Sequence, residues 1–277
     1  MSEIRKVIKA ALAEDIGGHD ATADALFTEL RVVSAYIKAK EDFVLAGLEV
    51  AREVFAELNE SIIFRSLKKD GDRLKKGDII AELTGDAADL MKGERTALNF
   101  MQRLSGIATY TAEFKEKVRG SRAKIVDTRK TTPGLRLLEK YAVKVGGGHN
   151  HRMGLYDGVM IKDNHIAACG GIRAALQKAR ENAPHTLKIE VEVTDLAGVR
   201  EAVDSGADII MLDNMSIEDM REATREIAGR AIVEASGNVN LDTVADIAFT
   251  GVDIISVGAI THSARAVDIS MKVDLTK

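Results

Sequence analysis

From residue 124 onward, short β-branched runs alternate with amphipathic stretches. The runs are KIVDT (124–128), GVMIKD (158–163), LKIEVEV (187–193), DIIMLD (208–213), AIVEAS (231–236) and VDIISVG (252–258). Between the later runs lie IRAALQKAREN (172–182), DLAGVREAVDSG (195–206) and SIEDMREATREIAG (216–229). Each of these stretches has Gly or Asn near its end, as a helix C-terminus favours. Strands alternating with helices at this spacing predict a parallel sheet. Spacing alone fits either an open sheet or a (β/α) barrel.

Residues 1–110 follow another pattern. A helical start over 3–14 precedes RVVSAYIKAK and FVLAGLEVAREVFAEL, and SLKKDGDRLKKGDIIAELTG then carries two Gly-Asp steps that read as tight turns between short strands. This α+β character predicts a separate domain. A helical pattern from about 89 to 119 is the expected connector, and VDISMKVDL near the C-terminus is expected to add an edge strand to the first domain.

Composition narrows the function. Net charge is −4 and aromatic residues make up only 4 %, with no Trp, which argues against bulk binding to nucleic acid or to an anionic membrane. The one cysteine, Cys169, has no internal partner and suits a reducing compartment, where it reads as a small buried residue. The N-terminal stretch lacks the apolar run of a signal peptide, and no apolar run approaches membrane-spanning length. The expected setting is cytoplasmic.

Functional groups in parallel α/β folds gather at the C-terminal strand ends. There the early runs bring Arg129, Lys130 and Lys162, and the intervening GGGHNHRMGL (146–155) adds His149, His151 and Arg152. Four cations facing one cavity repel each other unless a polyanion fills it, so this half reads as a site for several carboxylates or phosphates. Glu192 and Asp213 end the middle strands, suited to Mg²⁺, ribose hydroxyls or a developing positive charge. Glu190 shares a strand face with Glu192 and reads as the buried partner of a lysine. The late half, SGNVN (236–240) and VGAITHS (257–263), offers two consecutive glycine-bearing turns of the kind that present N–H groups to a phosphate. His149, His151 and His165 lack zinc-ligand spacing and cysteine partners, so hydrogen bonding to an anionic substrate is the expectation for this group in place of zinc, with His165 left as structural.

Together, DTRKTTPGLRLLEKYAVKVGGGHNHRMGL, DGVMIKDNHI, KIEVEV, IIMLDN, EASGNVN and ISVGAITHS resemble the quinolinate phosphoribosyltransferase family, the carboxylating nicotinate-nucleotide pyrophosphorylases. GERTALNFMQRLSGIAT (93–109) and ALAEDIGGHDATADALF (11–27) match as well, so the resemblance runs along essentially the whole chain. It implies an α/β fold: an N-terminal α+β sandwich domain over 1–110, joined by 266–277, followed by an incomplete (β/α) barrel of parallel strands over 111–265. It also implies transfer of phosphoribosyl from phosphoribosyl pyrophosphate to quinolinate. The products are nicotinate mononucleotide, pyrophosphate and CO₂, and Mg²⁺ is required. By resemblance, Arg129, His151, Arg152 and Lys162 fall on quinolinate positions, and Lys130 falls where quinolinate meets pyrophosphate. Glu192 and Asp213 lie near the ribose and Mg²⁺, and Ser236, Gly237 and Gly258 fall on the 5′-phosphate loops. Lys130, Lys162, Glu192 and Asp213 are the expected catalytic group. Arg95 matches an arginine that reaches into the partner subunit's site, implying a homodimer or a higher homo-oligomer. Tyr156 and Asp157 after HNHRMGL, and Ala235 before Ser236, depart from the family pattern and are expected to touch no motif residue.

Three rival readings remain in view. A related phosphoribosyltransferase of molybdenum-transport operons shares parts of the TRKT and HR motifs, but the intact DTRKTTPG and IKDNH favour quinolinate. A Schiff-base lyase using Lys162 leaves the arginines and the two phosphate turns unexplained. A phosphometabolite sensor on the same scaffold predicts a missing cation or a degraded carboxylate pair, and the sequence has neither.

Overall fold

The computed structural model describes residues 2–274. The described residues divide into two units: residues 2–110, 132–146 and 264–274, and residues 111–131 and 147–263.

In the first unit, β1 (Val32–Ala39), β2 (Phe43–Val44), β3 (Ile63–Ser66), β4 (Arg73–Leu74) and β5 (Ile79–Asp86) are joined by short connections and by the helix Leu48–Leu58. The two Gly-Asp steps are turns, with Gly71 and Gly77 at φ of 93° and 102°. Strand β1 pairs antiparallel with β5, which pairs with β3, while β2 and β4 form a two-stranded ribbon. Alternation along β1 buries Ala35, Ile37 and Ala39, and Ile80, Ala81 and Leu83 of β5 are buried with them. The helix Arg136–Val145 belongs to this unit, although its place in the chain is between barrel strands. Its Glu139 is fully buried and accepts from Arg103 Nη2 at 2.8 Å and from the Thr132 hydroxyl at 2.7 Å.

The second unit holds β6 (Lys124–Val126), β7 (Val159–Ile161), β8 (Ile189–Val193), β9 (Ile209–Asp213), β10 (Ile232–Ser236) and β11 (Ile254–Ser256). All six pair in parallel, in the order β6-β11-β10-β9-β8-β7, and the helices Ile172–Asn182, Leu196–Asp204 and Ile217–Ile227 follow their strands. This is an incomplete (β/α) barrel. Strands β6 and β7 do not pair with each other. The segment bearing His149 runs beside β6 instead, with a bridge from His149 to Val126.

The period of two separates two environments. Val191, Ile210, Leu212, Val233, Ala235 and Ile255 are buried on one face of the sheet. The other face carries Glu190 and Glu192, Met211 and Asp213, Glu234 and Ser236, so the barrel interior is polar. Local capping fits the sequence: Asp195 accepts from Gly198 N, and Ser216 accepts from Asp219 N, each at the start of a helix. Strand β12 (Ile269–Val273) returns to the first unit and pairs antiparallel with β1, where VDISMKVDL was expected to lie.

Candidate active site

A cleft of about 810 Å³ opens at the C-terminal strand ends of the second unit. Arg129, Lys130, His151, Arg152, Lys162, Glu192, Asp213, Ser236, Gly237 and Gly258 all line it. Every residue that the resemblance places in the site, except Arg95, is therefore in one cavity. Arg95 lies in the first unit, exposed on the helix Ala87–Lys117, and does not line the cleft.

Each group is held by identifiable neighbours. The buried carboxylate of Asp127, one residue past β6, accepts from the side-chain amide of Asn150 at 2.6 Å and from the His151 amide at 2.9 Å. That pair of bonds pins the HNHR segment to the end of β6. Thr261 donates its hydroxyl hydrogen to Lys130 O at 2.9 Å, and a Cβ on Gly258 would lie 3.0 Å from the Lys130 side chain. The lysine stem thus crosses the glycine turn closely. Lys162 is ion-paired with Glu192. This arrangement is the reverse of the desolvated, unpaired amine that Schiff-base chemistry needs. Arg152 donates to Gly158 O at 3.0 Å, and burial together with the nearby Arg129 lowers its pKa. Two guanidinium groups crowded in this way favour an anion between them.

On the opposite side, Gly237 sits at φ 91°, a conformation that L side chains rarely adopt. A Cβ there would meet the Asn214 side chain, 2.5 Å from Cγ. Asn214 matters because its amide links two groups: Nδ2 donates to Asp213 at 3.0 Å, and Oδ1 accepts from Asn238 at 2.9 Å. The SGN turn and the Asp213 carboxylate are therefore one hydrogen-bonded unit.

Sequence expectations need correction at four residues: Glu190, Asp157, Cys169 and His149. Glu190 is not the partner of a lysine. Its Oε2 lies 3.3 Å from His151 Nε2, and Glu234 Oε1 lies 3.5 Å from the same nitrogen. Asp157 does touch the HNHRMGL motif: its carboxylate accepts from Met153 N at 2.7 Å and from Gly154 N at 2.9 Å. Cys169 is half-buried rather than buried. His165 and His149 do not line the cleft. His165 Nδ1 accepts from Lys162 N at 3.0 Å, while the His149 backbone pairs with β6.

Burial lowers the His151 pKa, but Glu190 and Glu234 outweigh it and draw the value up to about 10. Burial also pushes Glu190 above the usual carboxylate range; Glu234 adds to that, and His151 pulls it back. Arg152 N–H donates to His151 Nδ1 at 2.8 Å, which favours a ring without a proton on that nitrogen. The two influences oppose each other at Nδ1 and agree at Nε2, which carries a proton in either case. His151, Glu190 and Glu234 are also the one group of three possible metal ligands close together among the described residues. A metal would need the Nε2 lone pair and a proton on Nδ1, and the Arg152 amide occupies Nδ1 as a donor. The cluster is not built as a metal site.

Comparison with known proteins decides the family. Residues 20–105 match the model of the quinolinate phosphoribosyl transferase N-terminal domain, and residues 107–272 match that of its C-terminal domain. The chain belongs to the quinolinate phosphoribosyltransferase family. It is 48 % identical over 274 residues to a probable carboxylating nicotinate-nucleotide pyrophosphorylase of Bacillus subtilis, covering 99 % of this chain and 94 % of that one. A mitochondrial decarboxylating quinolinate phosphoribosyltransferase of Nicotiana tabacum is 43 % identical, with 98 % and 82 % covered. The crystal structure of NadC from Streptococcus pyogenes superimposes with a TM-score of 0.95 at 47 % identity, covering 98 % and 96 % of the two chains. Asn214 and Glu234 stand among the polar strand ends in the sequence, and what sequence reasoning missed is their role and that of Glu190. Asn214 stands in the quoted IIMLDN, and its αL conformation (φ 54°), which Asn tolerates well, was the available signal.

Proposed function

We infer that this protein transfers the phosphoribosyl group of phosphoribosyl pyrophosphate to quinolinate, with loss of CO₂, to give nicotinate mononucleotide and pyrophosphate in pyridine nucleotide biosynthesis. One observation carries the residue assignment. Arg129, Lys130, Arg152 and Lys162 share a single cleft with the SGN turn and Gly258, and Glu192 and Asp213 line it too. Quinolinate brings two carboxylates for the arginine side. The 5′-phosphate suits the N–H groups of the Ser236–Gly237 and Gly258 turns.

The chemistry follows from that division. The pyridine nitrogen attacks C1′ as pyrophosphate leaves, with its lone pair already free at neutral pH, so no general base is needed. Positive charge grows on the sugar ring, and Glu192 and Asp213 stabilise it from fixed positions. Lys130 neutralises the departing pyrophosphate. Once substituted, the ring nitrogen is an electron sink: the adjacent 2-carboxylate leaves as CO₂, the electron pair of the broken bond stays at C2 beside the cationic nitrogen, and C2 then takes a proton from water, while Arg129 and Arg152 hold the acid in place. Glu192 and Asp213 are hard oxygen donors of half-buried side chains, suited to a Mg²⁺ that takes most of its ligands from a diphosphate and one or two from protein. When bound, that ion would supply charge neutralisation at the diphosphate. A homodimer in which Arg95 serves the partner's cleft and a cytoplasmic setting complete the reading. No helix of the described residues is long and apolar enough to cross a membrane.

The test is an assay with quinolinate, phosphoribosyl pyrophosphate and Mg²⁺, followed for pyrophosphate and CO₂, with nicotinate in parallel. Both products from quinolinate and none from nicotinate are expected. Arg152→Ala should cut quinolinate kcat/KM by at least 100-fold, as loss of a bidentate charged contact implies. Silence of the folded wild-type protein, or undiminished turnover by the variant, would sink the assignment.

A further inference from the structure

Beneath the cleft lies a second cavity of about 450 Å³, and His151, Arg152 and Glu234 line both. The wall between the two is thus made of His151, Arg152 and a carboxylate from the barrel interior. Glu190 and Glu234 are only 4 % and 1 % exposed. They come from β8 and β10, on either side of β9, and converge on one imidazole nitrogen. Burying two carboxylates side by side is costly and contributes nothing to a hydrophobic core. Their convergence needs a reason, and the geometry above them supplies one.

We propose that Glu190 and Glu234 are positioning residues for the ring acid: they grip the His151 ring from below, and through it they set the backbone and side chain of Arg152 in the cleft. The proposal rests on the quinolinate reading above. The chain of contacts is continuous. The carboxylates face Nε2, Nδ1 accepts the Arg152 amide at 2.8 Å, and the Arg152 guanidinium reaches Gly158 O at 3.0 Å. Asp127 fixes the same segment from the other side through the His151 amide. The imidazole is therefore a spacer with one acceptor and one donor nitrogen, and turning it would release the amide of Arg152. Neither carboxylate lies on the turns assigned to the sugar phosphate.

The experiment compares Glu190→Met and Glu234→Met, which remove the acceptor, with Glu190→Gln and Glu234→Gln, which keep one. Steady-state kinetics are run with each substrate varied in turn. The Met variants are expected to raise KM for quinolinate at least tenfold, with KM for phosphoribosyl pyrophosphate held within about twofold. The Gln variants should return quinolinate KM to within about threefold of wild type. Unchanged quinolinate KM in the Met variants, or an equal loss for both substrates, overturns the proposal. If the Met variants do not fold, the ¹⁵N–¹H spectrum of the wild-type histidines decides. A protonated Nε2 on His151 supports the grip, and an unprotonated Nε2 overturns it. Failure of the wild-type protein to turn over quinolinate is a separate result and strikes the functional reading instead.

Discussion

Gly237→Ala tests whether the SGN turn and Asp213 work as one unit. At φ 91°, an alanine is strained by about 1–2 kcal/mol before any contact is counted. Its Cβ would then fall 2.5 Å from Asn214 Cγ and 2.7 Å from Nδ2, inside any real contact distance. Asn214 is exposed and can swing away, but only by releasing the bonds to Asp213 and Asn238. A hydrogen bond to a charged group contributes about 1.5–3 kcal/mol. If that holding is lost in the transition state, kcat/KM for phosphoribosyl pyrophosphate falls by about 10- to 150-fold. KM for quinolinate should change by less than about threefold, because the arginine side is untouched. Steady-state kinetics with each substrate varied provide the readout, with urea unfolding of the same samples to separate damage to the fold. Asn214→Ala supplies the control, since it removes the atoms that the new Cβ meets. In that background Gly237→Ala should cost only the backbone strain, so the two changes are non-additive by 1 kcal/mol or more, roughly. Wild-type kcat/KM in Gly237→Ala, or strict additivity of the pair, would refute the argument.

Two further outcomes concern the first unit. Arg103→Met should lower stability by about 3 kcal/mol, the low end for breaking a buried ion pair, because Glu139 keeps both bonds from Thr132. Thermal denaturation should then show a Tm lower by several degrees, and Arg103→Met combined with Glu139→Gln should recover part of the loss. The second outcome is a pH dependence. The hydrogen bond from Arg265, against an opposing effect of burial, and the Asp268 amide hold Glu41 below its ordinary pKa of 4.5. A carboxylate lowered on folding contributes stability that is fully present above 4.5 and lost as pH falls through the folded value. The unfolding free energy of Glu41→Gln should therefore trail wild type at pH 6, and the gap should narrow steadily as pH falls below 4.5; a constant gap on acidification would contradict the pairing.

What could be read from the sequence was whatever depends on period and order. All six barrel strands and three of their helices stand where β-branched runs and amphipathic stretches put them, because adjacent residues decide local conformation there. The strand-end chemistry was legible for the same reason: in a parallel barrel the C-terminal ends share one mouth, so chain order places Lys162, Glu192, Asp213 and Ser236 in one cleft. Contacts between distant segments were not legible. Nothing in IEVEV shows that Glu190 will face a histidine from a loop some forty positions earlier, and nothing in AIVEAS shows that Glu234 will face the same ring. The segment 132–146 joins the first unit through a buried carboxylate whose arginine lies 36 positions away. Asp157 reads in the sequence as a neutral departure because its partners are main-chain amides, which no side-chain motif records.

These hidden contacts share a sign, and the sign explains how a chain of net charge −4 keeps cations together in one cleft. Arg129, Lys130, Arg152 and Lys162 line the mouth, where loops expose them to solvent and substrate. The carboxylates of Asp127, Glu190 and Glu234 lie buried under the same segment. A cationic clamp without such a floor would spread through its own repulsion and would have to be reassembled by each substrate, at a cost in affinity. A floor of direct Arg–carboxylate pairs would have the opposite fault, because the arginines would already be neutralised. Here the barrel-floor carboxylates, Glu190 and Glu234, reach the clamp through an imidazole, and Asp127 reaches it through the amides of Asn150 and His151. The protein thus holds the backbone of the clamp with charge and leaves the guanidinium groups facing the cleft. On this argument Lys162 is the exception: its direct pair with Glu192 must loosen or be shared when an anion enters. That makes it the cation whose contribution depends most on what else is bound.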